Sequence, residues 1–579
     1  MSRTTACPLD CYDACSVSVS DDGKLQGTPE HPYTQGFLCP HLNHYDKHER
    51  ITQPRYKGED ISMDEAVTIL KEKVKGCVPS SLLHYRGSGN FGLMQQVTDH
   101  VFAGYGATLT RGSLCDGAGE AGIVEGRGRN YALSPEQISK AEVVIFWGRN
   151  PHTTNSHLLP LLKDKTIIVI DPVQTEMADQ ADLFLQIKPH GDLQFALMLA
   201  RFIMIEGLED KEFVEAYAEE YEEFFDLTQT IRIKASLEAI DLSLGNIGDV
   251  LELVRGKRTV ILPGVGIQKY RNGADIMRAI DAIGVLLGLF GKEGCGVSYL
   301  GSSSEGIESP FELKASREPK ATVDFSKFEL VFVQGANPLS QMPDTRRAEA
   351  GLKAAESVVY FGLYENETSE AADLVIPAKS FLEKADIRSS YGHDALLSMP
   401  CIRESEVGIS EYDLAHAVSE VCGVELKSEA DYIGHFTSFG ELRDGMMKVK
   451  GREAIPYKDG FDTDDGQFLF LEELDLGFDL DNDLFLLTAK SPKSLNSQFN
   501  RESVAHVSPQ SGFLDGQRLR IVSTTGSVEL TARHDTRVRS DCVLIYSGTP
   551  GVNYLTPSLL SYEGENAIYQ ENKVRVEIC

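Results

Sequence analysis

Four cysteines fall near the start of the chain, at Cys7, Cys11, Cys15 and Cys39. The first three recur at every fourth position, and the last follows in Gly36-Phe37-Leu38-Cys39-Pro40. Three thiolates on one short segment and a fourth from farther along suit a cubane iron–sulfur cluster. One loop would wrap three corners and a returning strand would supply the fourth. Pro8 argues against a single helix through the first three, so a loop is expected. A four-cysteine zinc site competes, although structural zinc sites usually come as two separated Cys-x(2–4)-Cys pairs. Simple buried thiols would leave this clustering, within a chain of eleven cysteines, unexplained.

The elements that must position such a centre read as α/β layering. Apolar runs at Glu142–Trp147, Thr166–Ile170, Thr259–Pro263 and Glu329–Gln334 each stop at Gly, Asn, Asp or Pro. Parallel strands end this way when their carboxyl edges face a ligand crevice. The turns that follow, at Gly148-Arg-Asn150, Asp171-Pro172, Gly264-Val-Gly266 and Gly335-Ala-Asn337, offer backbone N–H groups to phosphate. Any one of them alone is an ordinary turn; four at matching places suggest a large phosphate-bearing ligand. None opens a G-x-x-x-x-G-K-[ST] loop, which argues against a P-loop nucleotidase. Residues 426–483 are acidic and weakly periodic, including Asp462-Thr-Asp-Asp465 and Asp475 to Asp481, and read as a solvated connector. Beyond them, Arg518–Val522, Ser527–Thr531 and Cys542–Tyr546 alternate as short strands of a barrel-like domain.

Length and charge bound the rest. A chain of 579 residues predicts three or four domains. A net charge of −31 argues against nucleic acid and against an anionic membrane surface. No apolar run reaches membrane-spanning length, so no membrane insertion is expected. The opening Met-Ser-Arg-Thr-Thr-Ala-Cys has no signal core, and the cysteines do not form a disulfide framework, so a reducing cytoplasm is expected.

Taken in order, these motifs resemble the molybdopterin-dependent oxidoreductases of the dimethyl sulfoxide reductase type. That family includes formate dehydrogenases, nitrate reductases and polysulfide or thiosulfate reductases. The resemblance rests on Cys7-Pro-Leu-Asp-Cys11 with Cys15 and Cys39, on Trp147-Gly-Arg-Asn150, and on Ile170-Asp171-Pro172 through Thr175. It continues through Ala181-Asp182, Pro189-His-Gly191-Asp192, Gly291 to Gly296, Gly335-Ala-Asn337-Pro338 and Glu367-Thr368 through Pro377. Asp515-Gly516 and Asn553-Tyr-Leu-Thr556 close it.

The resemblance implies a 4Fe-4S domain over residues 1–56 and two interleaved Rossmann-like α/β domains over 57–425. After the connector at 426–483 it implies a C-terminal β-barrel of the double-psi type over 484–579. It also implies bis(molybdopterin guanine dinucleotide) around molybdenum or tungsten. Gly148, Asn150, Asp171, Thr175, Gly191, Asp192, Gly264, Gly335, Asn337, Thr368 and Asn553 would line that cofactor.

Cys115, in Arg111-Gly-Ser-Leu-Cys115-Asp116-Gly117, stands where the family places its Cys, selenocysteine or Ser metal ligand. Thiolate is a soft donor suited to that metal. The surrounding Gly112, Gly117, Gly119 and Gly122 would let a bulky cofactor approach the backbone. His41 occupies the position where many members carry Lys between cluster and pterin. Asp116 replaces the His that follows the ligand in formate dehydrogenases.

The expected activity is a two-electron oxo, sulfur or hydride transfer on a small molecule. The cluster would pass electrons to a ferredoxin, flavoprotein or iron–sulfur subunit. A metal-free electron-transfer scaffold, a formate dehydrogenase-like subunit and a non-redox hydratase are the alternatives. Glu120 is expected on a solvent-facing helix surface, Trp147 beneath the dinucleotide turn, and His152 and His157 as turn residues. Cys295, Cys401, Cys422 and Cys542 are expected as isolated packing residues.

Overall fold

The computed structural model describes all residues except 1–2, 89–91, 302, 444, 450–452 and 476–483. It divides into two compact units, each built from separate stretches of chain. The first comprises residues 1–112, 303–452 and 493–500; the second comprises 113–302, 453–492 and 501–579.

In the first unit an eight-stranded sheet forms the centre. Its six parallel strands lie in the order Arg317–Pro319, Thr108–Arg111, Leu82–Arg86, Leu330–Gln334, Ser357–Gly362 and Leu374–Pro377. Two short antiparallel strands, Arg55–Tyr56 and Glu59–Asp60, close the edge. Numbered along the chain, the parallel strands run 3-2-1-4-5-6. The order reverses beside Leu82–Arg86 and Leu330–Gln334, the kind of point where open α/β sheets bind ligands. A separate hairpin, Arg3–Ala6 with Ser16–Val19, carries the cysteine loop at its tip. A four-stranded antiparallel sheet contains Asp386–Arg388 and Ala395–Met399.

The second unit repeats the plan on a smaller scale. Five parallel strands lie in the order Leu183–Leu185, Thr166–Ile170, Val143–Trp147, Thr259–Pro263 and Gly296–Val297, which is 3-2-1-4-5 along the chain. Val143–Trp147 and Thr259–Pro263 are buried at every residue, which is why they read as unbroken apolar runs rather than alternating ones. The C-terminal part is a closed barrel of six strands: Leu484–Leu487, Cys542–Leu544, Val504–Val507, Ser527–His534, Arg518–Val522 and Lys573–Ile578. Leu486, Ala505, Val507, Leu519, Ile521 and Val543 fill its interior.

The stretch expected as a solvated connector departs from that reading. The helix Glu429–Thr437 buries Tyr432 and Phe436 in the first unit. Tyr457, Phe461, Phe468 and Phe470 enter the core of the second, where Phe468–Leu469 pairs with Ala218–Glu219. Acidic residues between these aromatics mask an apolar pattern that is sparse but deeply buried. The acidic run from Asp475 to Asp481 lies largely outside the described residues.

The glycines around Cys115 also serve packing. A Cβ at Gly119 would lie 3.0 Å from the Tyr299 ring. One at Gly122 would lie 2.2 Å from the carbonyl oxygen of Ala274. The helix Gly117–Arg127 thereby seats directly on the helix Gly273–Leu286. Gly122→Val should force the pair apart at a cost of about 1–3 kcal/mol. Thermal unfolding followed by circular dichroism should show a lower transition temperature; an unchanged transition would contradict this packing.

Candidate functional site

The cysteine quartet is assembled wholly within the first unit. Cys7 and Cys15 bracket the hairpin tip, joined by the Cys7 N–H donating to the Cys15 carbonyl at 2.9 Å. The intervening segment is a loop, as Pro8 implied, and Ala14 adopts a positive φ of 43°. Cys39 is not on a returning strand. It is the N-cap of the short helix Pro40–Asn43, because Pro40 starts a helix readily and cannot continue a strand ladder. Burial, together with repulsion from Cys39, pushes the Cys7 thiol up to about 12. Cys11 and Cys15 are raised well above their ordinary value by burial, with neighbouring cysteines adding to it. Burial also raises Cys39. Among the described residues, no three His, Cys, Asp or Glu side chains are placed to hold a single metal ion. His41, on the helix that Cys39 caps, stacks on Phe499 at 5.2 Å and 14°. Burial lowers its imidazole below the ordinary value.

At the reversal point of each parallel sheet, two turns approach closely. In the second unit the Gly264 N–H donates to the Trp147 carbonyl at 2.8 Å. A Cβ on Gly264 would lie 1.8 Å from the Gly148 carbonyl oxygen. In the first unit the Gly87 N–H donates to the Gln334 carbonyl at 2.9 Å. A Cβ there would lie 2.5 Å from the Gly335 carbonyl oxygen. Sequence reasoning passed over Gly87 because its strand, Leu82–Arg86, contains His84 and Arg86 and lacks a clean apolar run.

The following residues match as well. Asn150 and Asn337 each N-cap a four-residue helix that begins with Pro. Their side-chain amides donate to Glu176 at 2.7 Å and Glu367 at 2.8 Å. Thr368 is fully buried and donates to the Asn337 side-chain oxygen at 2.8 Å.

Asp171, Thr175, Gly191 and Asp192 lie along the carboxyl edge of the second unit's sheet. Asp171 accepts from the Val173 N–H at 2.8 Å, and Asp192 accepts from the Trp147 indole at 2.8 Å. Thr175 accepts from the Ala178 N–H. Burial raises Asp171 to about 7, with Asp192 adding repulsion, and burial raises Asp192 to about 6. Trp147 is wholly buried and packs on Phe195 beneath this edge. Asn553 sits on the barrel turn Val552–Tyr554, where its side-chain oxygen accepts from Thr556 at 3.1 Å.

Cys115 is partly exposed on the turn leading into the helix Gly117–Arg127. Its N–H donates to Ser113 Oγ at 2.8 Å, and its carbonyl accepts from Gln268 Nε2 at 2.7 Å. Gln268 is wholly buried, and its side-chain oxygen also accepts from the Gly119 N–H at 2.9 Å. The Lys269 ammonium lies 4.7 Å from the Tyr569 ring centroid, within reach of the Leu114 carbonyl. Burial lowers Lys269 to about 8. Neither residue carries a sequence signal, since each acts through a long-range contact. Glu120 is not solvent-facing: burial raises its carboxyl, and it accepts from the Asn130 amide. Cys401 is exposed, so it is not a packing residue. Cys422 is raised by burial and by nearby Cys77, so it is not isolated.

A family model described as molybdopterin oxidoreductase matches residues 50–405. The probable oxidoreductase YyaE of Bacillus subtilis is 28% identical over 427 residues, covering 67% of this chain and 64% of that protein. The probable oxidoreductase YoaE of the same organism is 25% identical over 675 residues, covering 99% and 98%. Formate dehydrogenase H of Escherichia coli is 22% identical over 450 residues, covering 66% and 62%. The chain thus spans just under two thirds of the first and third of these relatives. Among solved structures, acetylene hydratase from Pelobacter acetylenicus superimposes with a TM-score of 0.82 and 18% identity, covering all of both chains. That likeness establishes a mixed α/β multidomain fold with a barrel near its C-terminus.

The raised carboxyls give a stability signature in cofactor-free protein. Their native values lie above the ordinary 3.8, so the folded chain binds more protons than the unfolded one between about pH 4 and pH 7. Stability contributed by protonation is present at the acid end of that window and is lost as pH rises through it. Asp171→Asn and Asp192→Asn, which preserve the accepting oxygens, should therefore raise the melting temperature at pH 7.5 more than at pH 5. Each kcal/mol regained corresponds to roughly 2–4 °C. Equal shifts at both pH values would refute the assignment.

Proposed function

The chain belongs to the molybdopterin oxidoreductase family; on that premise, we propose that it is an oxidoreductase that carries bis(molybdopterin guanine dinucleotide) with molybdenum or tungsten, together with a 4Fe-4S cluster. The observation that carries this reading is the pair of matching strand-end cradles, Gly148-x-Asn150 with Gly264 and Gly335-x-Asn337 with Gly87. At each pair the two turns lie in direct contact, since a Cβ on Gly264 or Gly87 would strike the neighbouring turn's backbone. The glycine N–H groups are themselves donated to backbone carbonyls, so donors for phosphate would come from the residues that follow them at the strand ends. Asp171 and Asp192, buried and held above their ordinary values, suit the N–H edge of a guanine. Gly191, Thr175, Thr368 and Asn553 would complete the nucleotide contacts.

Cys7, Cys11, Cys15 and Cys39 would hold the cluster. Four buried, mutually repelling thiols, three of them on one short loop, suit a cage. A multivalent iron centre supplies the positive charge that lets all four ionise together.

When bound, the pterin-held metal supplies two-electron exchange with a small molecule, as oxo, sulfur or hydride transfer. Cys115 would ligate it, and its backbone is immobilised for that purpose. Ser113 and Gln268 fix the peptide on either side of the thiol, so little reorganisation is needed. Lys269 lies close enough to Cys115 for its ammonium to attract a thiolate there, which offsets part of the effect of burial on Lys269. Glu120, with its raised carboxyl, is suited to hold a proton near this turn. His41 would lie beside the cluster as an uncharged ring.

The electron partner would be a ferredoxin, flavoprotein or iron–sulfur subunit. A cytoplasmic setting is proposed from cysteine usage. Among the described residues no helix is long and apolar enough to cross a membrane.

Anaerobically purified protein should contain about four iron and four sulfide per chain. It should also release two GMP per molybdenum or tungsten on acid hydrolysis. Cys115→Ala should retain iron and GMP, lose one metal–sulfur contact in X-ray absorption, and lose dye-linked turnover by about 100-fold or more. NAD or FAD in place of GMP would overturn the cofactor assignment. Wild-type rates in the alanine variant would overturn the role of Cys115. Turnover without electron exchange would favour a hydratase, and absence of metal would favour a scaffold.

A further inference from the structure

The loop from Cys7 to Cys15 is gripped from one side by the segment Arg388–His393. Arg388 is wholly buried at the end of the strand Asp386–Arg388. Its Nε donates to the Cys7 carbonyl at 3.2 Å. Its Nη2 donates to the carbonyls of Leu9 and Cys11, both at 3.1 Å, and Nη1 donates to that of Ser389 at 2.6 Å. Ser390 Oγ donates to the Tyr12 carbonyl at 2.9 Å, and His393 Nε2 donates to the Asp13 carbonyl at 2.8 Å. Five carbonyls of the loop, at Cys7, Leu9, Cys11, Tyr12 and Asp13, are therefore committed to this one segment.

Two electrostatic consequences follow. With the loop's carbonyls drawn toward Arg388, the Asp13 N–H points to sulfur, 3.5 Å from Cys11 Sγ. The guanidinium also brings a full positive charge, which neither a change of pH nor solvent screening removes at this depth. At Cys7 its field opposes that of Asp13, whose carboxylate accepts from Tyr33 OH at 3.0 Å, and it interacts directly with Asp10.

We propose that Arg388 is the positioning residue of the cysteine loop and that its buried charge raises the reduction potential of the cluster held there. The inference rests on the cluster reading of Cys7, Cys11, Cys15 and Cys39. Reduction adds one electron to a centre already surrounded by four thiolates. A fixed cation beside that centre stabilises the reduced form more than the oxidised form. The guanidinium fork is needed because three separate carbonyls of the loop must be met at once, which an ammonium on a flexible stem cannot do.

The test is a mediator-dye titration with dithionite as the electron donor, read by EPR on anaerobic protein, beside iron analysis and thermal melting. Arg388→Gln removes the charge. Its midpoint should fall by at least about 59 mV, a tenfold shift in a one-electron equilibrium. Arg388→Lys keeps the charge and loses the fork. It should hold the midpoint closer to wild type while binding less iron. If Arg388→Gln is isolated without iron, it is reconstituted with ferrous iron and sulfide before titration. Failure to reconstitute at an unchanged melting temperature supports the positioning role.

The proposal is overturned by an Arg388→Gln protein with wild-type iron and midpoint, or by an Arg388→Lys midpoint as low as that of the glutamine variant. Wild-type protein without iron would instead defeat the cluster reading beneath it. The two failures are thus distinguished.

Discussion

In each parallel sheet two turns meet where the strand order reverses. There one turn passes so near the next that a side chain cannot lie between them: Gly264 against Gly148 in one unit, Gly87 against Gly335 in the other. This single constraint fixes what comes after it. In each unit the turns are pinned to each other by an N–H to carbonyl bond, and the residue two positions beyond Gly148 or Gly335 sits at the N-cap of a short helix. Asparagine caps the helix in both places, proline starts it, and a glutamate accepts from the asparagine amide. The two cradles are therefore one solution used twice. In each, glycine is required because a Cβ would strike the backbone of the neighbouring turn.

A second theme is acidity held out of water. Asp171, Asp192 and the four N-terminal thiols are all displaced toward their neutral forms by burial. A folded chain gains nothing in isolation from such groups, since each lowers stability once the pH favours ionisation. Ligands that bring N–H donors or cations reverse the sign, and binding to the folded state alone then stabilises it. The energetics of the metal-free chain thus point to the same places as the turn geometry, although the two observations are independent.

The strand runs were legible because central parallel strands are apolar on both faces and stop abruptly at Gly or Asn. Val143–Trp147 and Leu330–Gln334 show this directly. The cysteine spacing was legible because it is local. What escaped was long-range or masked. Leu82–Arg86 occupies the middle of its sheet, yet His84 and Arg86 hide it, since their polar atoms bond to Asp99 and Gln334 only in the folded chain. The glycines near Cys115 suggested room for a ligand, whereas Gly122 is required by the neighbouring helix. Phe468 and Phe470 sit among acidic residues, and a composition average cannot see that both are buried. The division into two units, each assembled from three stretches, is likewise invisible to periodicity, which reports elements and not their partners.

The two proposed ligand loops are held by the same device. At Cys115 a buried glutamine takes the loop carbonyl and returns its own oxygen to the Gly119 N–H. At Cys7–Cys15 a buried arginine takes three carbonyls with one planar group. The Cys7–Cys15 loop is gripped by Arg388 through its carbonyl oxygens. The Cys115 loop is held through both a carbonyl and N–H groups, the latter by Ser113 and Gln268. A loop fixed through its thiols would lose the groups that are to bind metal. One fixed through its N–H groups would lose the donors that temper charge on sulfur. Capture through carbonyl oxygen, as by Arg388, leaves the thiols untouched, and it requires multi-donor side chains that are themselves buried and rigid. Arg388 and Gln268 meet those conditions, and both come from elements remote in sequence from the loops they hold. Rigidity at these thiols is therefore a property of tertiary structure, supplied to segments that their own sequence would leave as flexible turns.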